Sequence, residues 1–359
     1  MGRELDKAKE ARKGEQLNEK ALESFMIKAL GVDQGKLSVQ QFPSGFSNLT
    51  YLIEFAHEEY VLRRPPFGAN IKSGHDMGRE YKILSALEGN YDKAPKPILF
   101  CEDLSVLEAP FYLMERVQGT ILRASTPQAA MPSPAQFQSL SASLVDTLVE
   151  LHQLDYKAIG LEDLGNPMGY IERQVVGWSK RYLKAKTHEV KEMEATAKWL
   201  NDHMPQSTAA SLVHNDFKYD NLVLTPDEHL NVKAVLDWEM TTLGHPLMDF
   251  GTTLGYWIHH TDPDFIAQNQ LNLTTQKGNP TRGELVEMYA KKSGQNVDDI
   301  VFYFVFGVFK IAVIVQQIYY RYTLGHTQDP RFKHLDKIVS LYGLVAQQAI
   351  QKNKLDHLF

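Results

Sequence analysis

From residue 213 the chain reads Val-His-Asn-Asp-Phe-Lys-Tyr-Asp-Asn-Leu-Val-Leu, then a polar turn, then Ala-Val-Leu-Asp-Trp-Glu ending at residue 239. Two carboxylates, Asp216 and Asp237, and the amide oxygen of Asn221 are hard donors of the kind Mg²⁺ takes. A carboxylate beside metal-held phosphates can orient a hydroxyl and accept its proton, so the chemistry these residues suit is phosphoryl transfer. Residues 222–225 and 232–236 have strand character, and 226–229 between them is rich in turn residues, which predicts a β-hairpin. A hairpin brings the chain back on itself. Asn221 just before its first strand and Asp237 just after its second therefore fall at one open end, with the Asp216 loop beside them. His214 is expected to hydrogen-bond within the loop instead of acting as a base. Lys218 is placed either to reach a γ-phosphate or to stay solvated.

Such a loop needs a partner surface for a nucleotide, and the upstream sequence supplies candidates. Residues 37–42 and 49–55 read as strands around Pro-Ser-Gly-Phe-Ser-Asn at 43–48, a turn in which Ser44, Gly45, Phe46, Ser47 and Asn48 can turn N–H groups toward phosphate oxygens. A third strand covers 60–64 and stops at Pro65-Pro66. A helix follows over about 76–87, with Tyr81, Leu84 and Leu87 on its apolar face and Glu80 placed to pair with a cation on the third strand. Alternation puts Arg63 on one face with Val61 and Arg64 on the other, which favours Arg63 as that cation. Residues 98–101 and 111–115 supply two more strands. The second runs into Arg-Val-Gln-Gly at 116–119, a hinge whose backbone around Glu115 and Val117 could bond an adenine edge.

The spacing from His214 through Asp216 to Asn221 matches the H-x-D-x-x-x-x-N catalytic loop of protein kinases, and Asp237 stands where their metal-binding Asp should follow. The chain resembles the aminoglycoside phosphotransferase (APH) and choline-kinase-like family over about residues 36–345. The pieces that carry this are His-Asn-Asp-Phe-Lys-Tyr-Asp-Asn at 214–221, Val-Leu-Asp-Trp-Glu at 235–239 and Gly-His-Pro-Leu-Met-Asp-Phe-Gly at 244–251. Within it the chain is most similar to phosphotransferase domains that occur alone or joined to acyl-CoA dehydrogenases, through Tyr-Val-Leu-Arg-Arg-Pro-Pro at 60–66, Gly-Arg-Glu-Tyr-Lys-Ile-Leu-Ser-Ala-Leu at 78–87 and Tyr-Ile-Glu-Arg-Gln-Val-Val-Gly-Trp at 170–178. The resemblance implies an α+β, protein-kinase-like two-lobed fold. Its N-terminal lobe, 1–116, would be a small antiparallel sheet plus helix, and its C-terminal lobe, 117–359, would be mainly helical. It further implies ATP as co-substrate, Asp216 as catalytic base, Asn221 and Asp237 as Mg²⁺ ligands, Asp249 as a brace beneath the loop, and a functional link to acyl-CoA dehydrogenation. Two positions depart from the wider pattern: Arg63 replaces the usual Lys, and the phosphate loop holds one glycine, Gly45.

Composition sets outer bounds. A chain of 359 residues can bury a sizeable core, and a net charge of −6 gives no reason to invoke nucleic acid. The one cysteine, Cys101, excludes an intrachain disulfide. The N-terminus is charged and lacks an apolar signal core, which predicts a cytoplasmic protein whose first sixteen or so residues form a frayed arm or short charged helix. Residues 301–320 are apolar enough for a membrane span, but Lys310 in the middle and Gln316-Gln317 near the end point to a buried helix instead, with no membrane partner. Residues 134–152 are expected to form the central helix of the large lobe.

The acceptor is open at this level. Residues 170–186 interleave Arg173, Lys180, Arg181, Lys184 and Lys186 with Trp178 and Tyr182, readable as a surface for an anionic acceptor such as a hydroxyacyl-CoA or as a solvated amphipathic helix. A polycationic aminoglycoside would want acidity instead, with Asp356, the Phe359 carboxylate, Glu162, Asp163 and Glu172 as candidates. Two other classes stand beside a hydroxyl kinase: a nucleotide-binding protein without catalysis, and a metal hydrolase using His214, Asp216, Asp237 and His245 or His259-His260.

Overall fold

The computed structural model of the chain describes residues 7–33, 35–42, 48–68, 75–327 and 329–359. Four of the expected phosphate-loop residues, Ser44, Gly45, Phe46 and Ser47, lie outside them. The N-terminal part is a five-stranded antiparallel sheet in the order β1-β2-β3-β5-β4, from β1 (Ser38–Gln41), β2 (Leu49–Phe55), β3 (Glu58–Arg64), β4 (Pro97–Cys101) and β5 (Phe111–Glu115). The β2–β3 hairpin turns through Ala56 and His57, both at positive φ (52° and 69°), the left-handed pair a two-residue turn needs to follow the strand twist.

Strand alternation sorts this sheet into two faces. Val61, Tyr112 and Met114 join the main core with α2 (Met77–Leu87), whereas Tyr51, Ile53, Leu62, Phe111 and Leu113 form a second core under α1 (Glu19–Leu30). Helix α2 starts where the Asp76 carboxylate accepts from Arg79 N–H (2.9 Å) and buries Met77, Glu80, Ile83, Leu84 and Leu87. Tyr81, expected on the apolar face, is half-buried and stacks on Phe100. Helix α1 caps on Asn18 and buries Leu22 and Met26 completely. The arm before it is not frayed over its described residues. Lys9 and Gln41 exchange backbone hydrogen bonds (2.8 and 2.7 Å), and the Glu15 carbonyl accepts from the Tyr51 hydroxyl (2.7 Å), so the sheet extends onto the arm.

The C-terminal part is helical, broken by two short strand pairs. After α3 (Leu104–Leu107) come α4 (Pro134–His152), α5 (Tyr170–Ala185) and α6 (Lys191–Asp202). Then β6 (Ser211–Val213) pairs with β9 (Thr242–Gly244), enclosing the hairpin of β7 (Leu222–Leu224) and β8 (Val232–Val235). Helices α7 (Pro246–Gly255), α8 (Asp264–Ala267), α9 (Arg282–Ser293), α10 (Ile300–Thr323) and α11 (Leu335–Lys352) complete it. The central helix is α10, not α4 as expected. It is apolar on nearly every side and packs against α5, α6, α7 and α11, while α4, with a polar face, packs on α9 and the short strands. α10 is long and apolar enough to cross a membrane, yet 83% of its most apolar window is buried within the fold. Its approach to α7 is backbone to backbone: a Cβ on Gly307 would stand 2.0 Å from the Gly251 carbonyl oxygen, which only glycine permits.

Candidate active site

Residues 214–221 link β6 to β7, and Asp249 in the first turn of α7 sets their shape. Its two carboxylate oxygens accept from the N–H groups of His214 and Asn215, each at 2.7 Å, and His152 Nε2 lies 3.2 Å from one of them. Burial alone would push this carboxyl up. The His152 contact, nearby His214 and the N–H bond outweigh it and hold the group below the usual carboxylate range. Asn215 takes a left-handed conformation (φ 68°) and is tied through side chain and backbone: side chain to Tyr170 O–H and the Met240 carbonyl, carbonyl oxygen to the Lys310 ammonium at 2.7 Å. His214 accepts from Asp216 N–H through Nδ1 (3.3 Å) and bonds the Leu236 carbonyl through Nε2 (3.0 Å), the internal role expected of it.

The loop delivers Asp216 into a cleft of about 410 Å³ between the sheet and the helices. One carboxylate oxygen meets Lys218 Nζ (3.1 Å) and Tyr256 O–H (3.0 Å), and the other meets Lys218 Nζ (2.9 Å) and Asn221 Nδ2 (2.9 Å). Asn221 also donates to the Asp216 carbonyl (2.9 Å), which fixes the amide so that its oxygen remains as an acceptor. The hairpin brings Asp237 to the same cleft as predicted, in a left-handed conformation (φ 69°, ψ 63°).

Across the cleft Arg63 forks between the lobes: Nη1 reaches Glu80 (3.0 Å) and Nη2 reaches Asp237 (3.0 Å) and Glu239 (3.2 Å). Burial opposes the guanidinium charge, but these carboxylates raise its pKa above its ordinary value, and Arg63 in turn holds Asp237 below the usual range against its own burial. Arg64 points the other way, over the Phe67 ring, as alternation required. Asn48 gives its amide N–H to Glu239 (2.7 Å) and lies 2.8 Å from His75 Nδ1. Glu115 and Val117 line the cleft beside Arg116 and Gln118.

Asp237 and Asn221 offer Mg²⁺ a carboxylate and an amide oxygen on one cleft wall. Two protein ligands plus substrate phosphates and waters is the manner in which this ion is ordinarily held, so the residues fit it. Zinc fits poorly. His245 stacks on Tyr303 and bonds Ser207, His259 is tied to Thr261, and among the described residues no three His, Cys, Asp or Glu converge on a metal position.

The structure corrects the basic, aromatic surface reading of residues 170–186. Trp178 and Tyr182 are buried toward α10, with Tyr182 edge-on to Phe309, while Arg173, Lys180, Arg181 and Lys184 share the solvent side of α5 with Glu172 and Leu183, and no α5 residue lines the cleft. The acidic candidates also stand elsewhere: Asp356 bonds the N-terminus of α9 and Arg282, and Asp163 pairs with Lys82. Four site residues escape sequence reasoning. Glu239 stands inside a quoted motif without a role, and Asp220 lies between two assigned positions. Lys310 reads only as a break in an apolar run, and Tyr256 has no local signal, since the length of α7 alone places it.

The two-lobed arrangement, with its loop, brace and interlobe ion pair, is that of a kinase-like phosphotransferase. Residues 38–283 match the phosphotransferase enzyme family (APH), and the chain belongs to that family. It is 33% identical to a Ralstonia eutropha protein assigned as an aminoglycoside phosphotransferase, with a TM-score of 0.76 over 93% of this chain and 99% of that one. Choline kinase from Cryptosporidium parvum shares the fold at 12% identity, with a TM-score of 0.63 over 94% of this chain and 98% of that one. The chain is also 35% identical over 86% of its length to human acyl-CoA dehydrogenase family member 11, of which it spans 40%. The chicken protein of that name is 32% identical over 97% of this chain and 46% of its own length. The chain thus spans under half of either of these relatives.

Proposed function

We propose that the chain transfers the γ-phosphoryl group of ATP to a hydroxyl of a small molecule, with Mg²⁺ held by Asp237 and Asn221. The observation that carries this is the convergence of Asp216, Asn221 and Asp237 on one cleft whose other wall presents Arg63 braced by Glu80. Asp216 orients the acceptor hydroxyl and takes its proton, Lys218 balances the charge around Asp216, and the Arg63 fork positions the phosphates. Mg²⁺, when bound, supplies charge neutralisation on the phosphate oxygens. The backbone around Glu115 and Val117 lies along the cleft to receive the base, and Asp249 with His214 keeps the loop in shape.

For the acceptor we favour a hydroxyl on an acyl chain, of the hydroxyacyl-CoA type. Met240, Ile314 and the Tyr256 ring give the cleft an apolar lining, and three of the five carboxylates that line it, Asp216, Asp237 and Glu239, already face a cation, which weakens its pull on a polycationic aminoglycoside. The acyl-CoA dehydrogenase relatives, of which this chain spans under half, are the reason for placing that hydroxyl on an acyl chain.

Thermal unfolding with ATP, with and without Mg²⁺, tests the reading, because a ligand bound only by the native state raises the midpoint. The expected shift needs both. Asp216→Ala should keep that shift and lose turnover on any accepted hydroxyl, and Asp237→Ala should lose the Mg²⁺-dependent part. An active Asp216→Ala protein would sink the assignment.

A further inference from the structure

Among the described residues, the Tyr256 phenol is the side-chain donor on the Asp216 carboxylate that does not come from the catalytic loop. Lys218 and Asn221 are two and five residues along the same loop and also hold its shape. Tyr256 arrives from the end of α7, and its O–H donates to Asp216 at 3.0 Å. That is the same atom type, donating in the same sense, within the distance an acceptor hydroxyl must reach to be deprotonated. Burial keeps the phenol protonated, followed by the nearby Asp216 charge, so it remains a donor and does not compete as a base. Its ring lines the cleft under Lys218, whose Nζ stands 4.9 Å from the ring centroid.

We infer that the Tyr256 hydroxyl holds the acceptor hydroxyl's place on Asp216 until acceptor arrives, and so keeps water from being activated against bound ATP. The inference rests on the phosphotransferase reading. With both carboxylate oxygens already receiving two bonds, a water has no ready position on Asp216, whereas an acceptor anchored by the rest of the cleft can displace the phenol. Removing the hydroxyl leaves a polar gap beside a carboxylate, a site water can fill. That water would give its proton to Asp216, its oxygen would bond to the γ-phosphorus, and the bond to the ADP oxygen would break.

The experiment measures ADP release by the full chain from ATP and Mg²⁺ without acceptor, for wild type, Tyr256→Phe and, should that variant fold poorly, Tyr256→Leu. The nucleotide-dependent thermal shift is read in parallel. The expected result is a rise of about fivefold in acceptor-independent ADP release, the scale of one hydrogen bond, at an unchanged shift. A rise separates this role from a structural one, since loop damage would slow the reaction. Unchanged or slower release at a normal shift overturns the inference and leaves the phosphotransferase reading standing. No nucleotide shift and no ADP release in the wild type overturns both.

Discussion

Two cations are buried on opposite sides of the cleft, and the two halves of the molecule keep them by opposite means. Arg63 on β3 is 7% exposed and meets three carboxylates, which hold its charge against burial. Lys310, midway along α10, is 2% exposed and gives its hydrogen bond to a carbonyl, that of Asn215, beside the Trp178 ring at 5.8 Å. Burial dominates there. Asp249 and Asp216 act on the ammonium only from beyond ion-pair distance, Lys218 and Arg181 oppose them, and the Lys310 pKa falls to about 8. The sheet side stabilises its charge by pairing. The helical side keeps a charge with no ion-pair partner among the described residues, and that charge holds the loop residue next to Asp216.

The contrast predicts opposite outcomes on deletion. Arg63→Met strands Glu80, Asp237 and Glu239 without their shared cation, and removal of one partner from a buried ion pair costs about 3–5 kcal/mol. A urea midpoint equal to wild type would show that the cluster contributes nothing net. Lys310→Met removes a buried charge for a side chain of similar volume, so near neutral pH its stability should match or exceed wild type. The pH dependence sharpens this. Between the folded value of about 8 and the ordinary 10.5 the unfolded chain binds more protons at Lys310. Wild-type stability therefore rises with pH across that window relative to the methionine variant, by about 3 kcal/mol. Turnover should move the other way, falling above about pH 8 as the ammonium that holds the Asn215 carbonyl becomes a neutral, weaker donor. Parallel urea titrations of both proteins across the window would refute the account if their difference stayed flat.

The same contrast separates what is legible in the sequence from what is hidden there. Arg63 is readable because strand parity is a local rule: Val61 and Arg63 have to share a face, and Glu80 has to lie one helix away. The Asp216–Asn221 loop and the hairpin are readable for a similar reason, since spacing and turn residues fix them within about twenty-five positions. Lys310 and Tyr256 owe their roles to how α7 and α10 pack, and nothing near either residue states which loop atom it will meet. Helix α5 is the instructive middle case. Ile171, Val175, Trp178, Tyr182 and Ala185 recur at three- and four-residue intervals and are all buried, so the aromatics belong to an apolar stripe whose period is already in the chain. Charge density along the helix conceals it. The order of the N-terminal arm is hidden because its pairing with Gln41 is a tertiary contact made by a polar segment.

The smallest predicted effect tests whether charge or shape carries the Arg63 side. Arg63→Lys keeps the charge, but one compact ammonium cannot span Glu80 at one end and Asp237 with Glu239 at the other, as the two Nη atoms do. If pairing is mainly Coulombic, the lysine variant should retain most of the stability, with a loss of about 1–2 kcal/mol for the contact it gives up. The urea midpoint should then fall between wild type and Arg63→Met. A lysine variant as unstable as the methionine one would mean that the planar fork, bridging the sheet to the hairpin, is what joins the two walls of the cleft. The Mg²⁺–ATP thermal shift of the same variant distinguishes the two ideas at the site itself. A preserved shift says the ion pair serves the fold first, and a lost shift says that nucleotide binding needs the guanidinium itself, on the phosphates or to keep Asp237 in place.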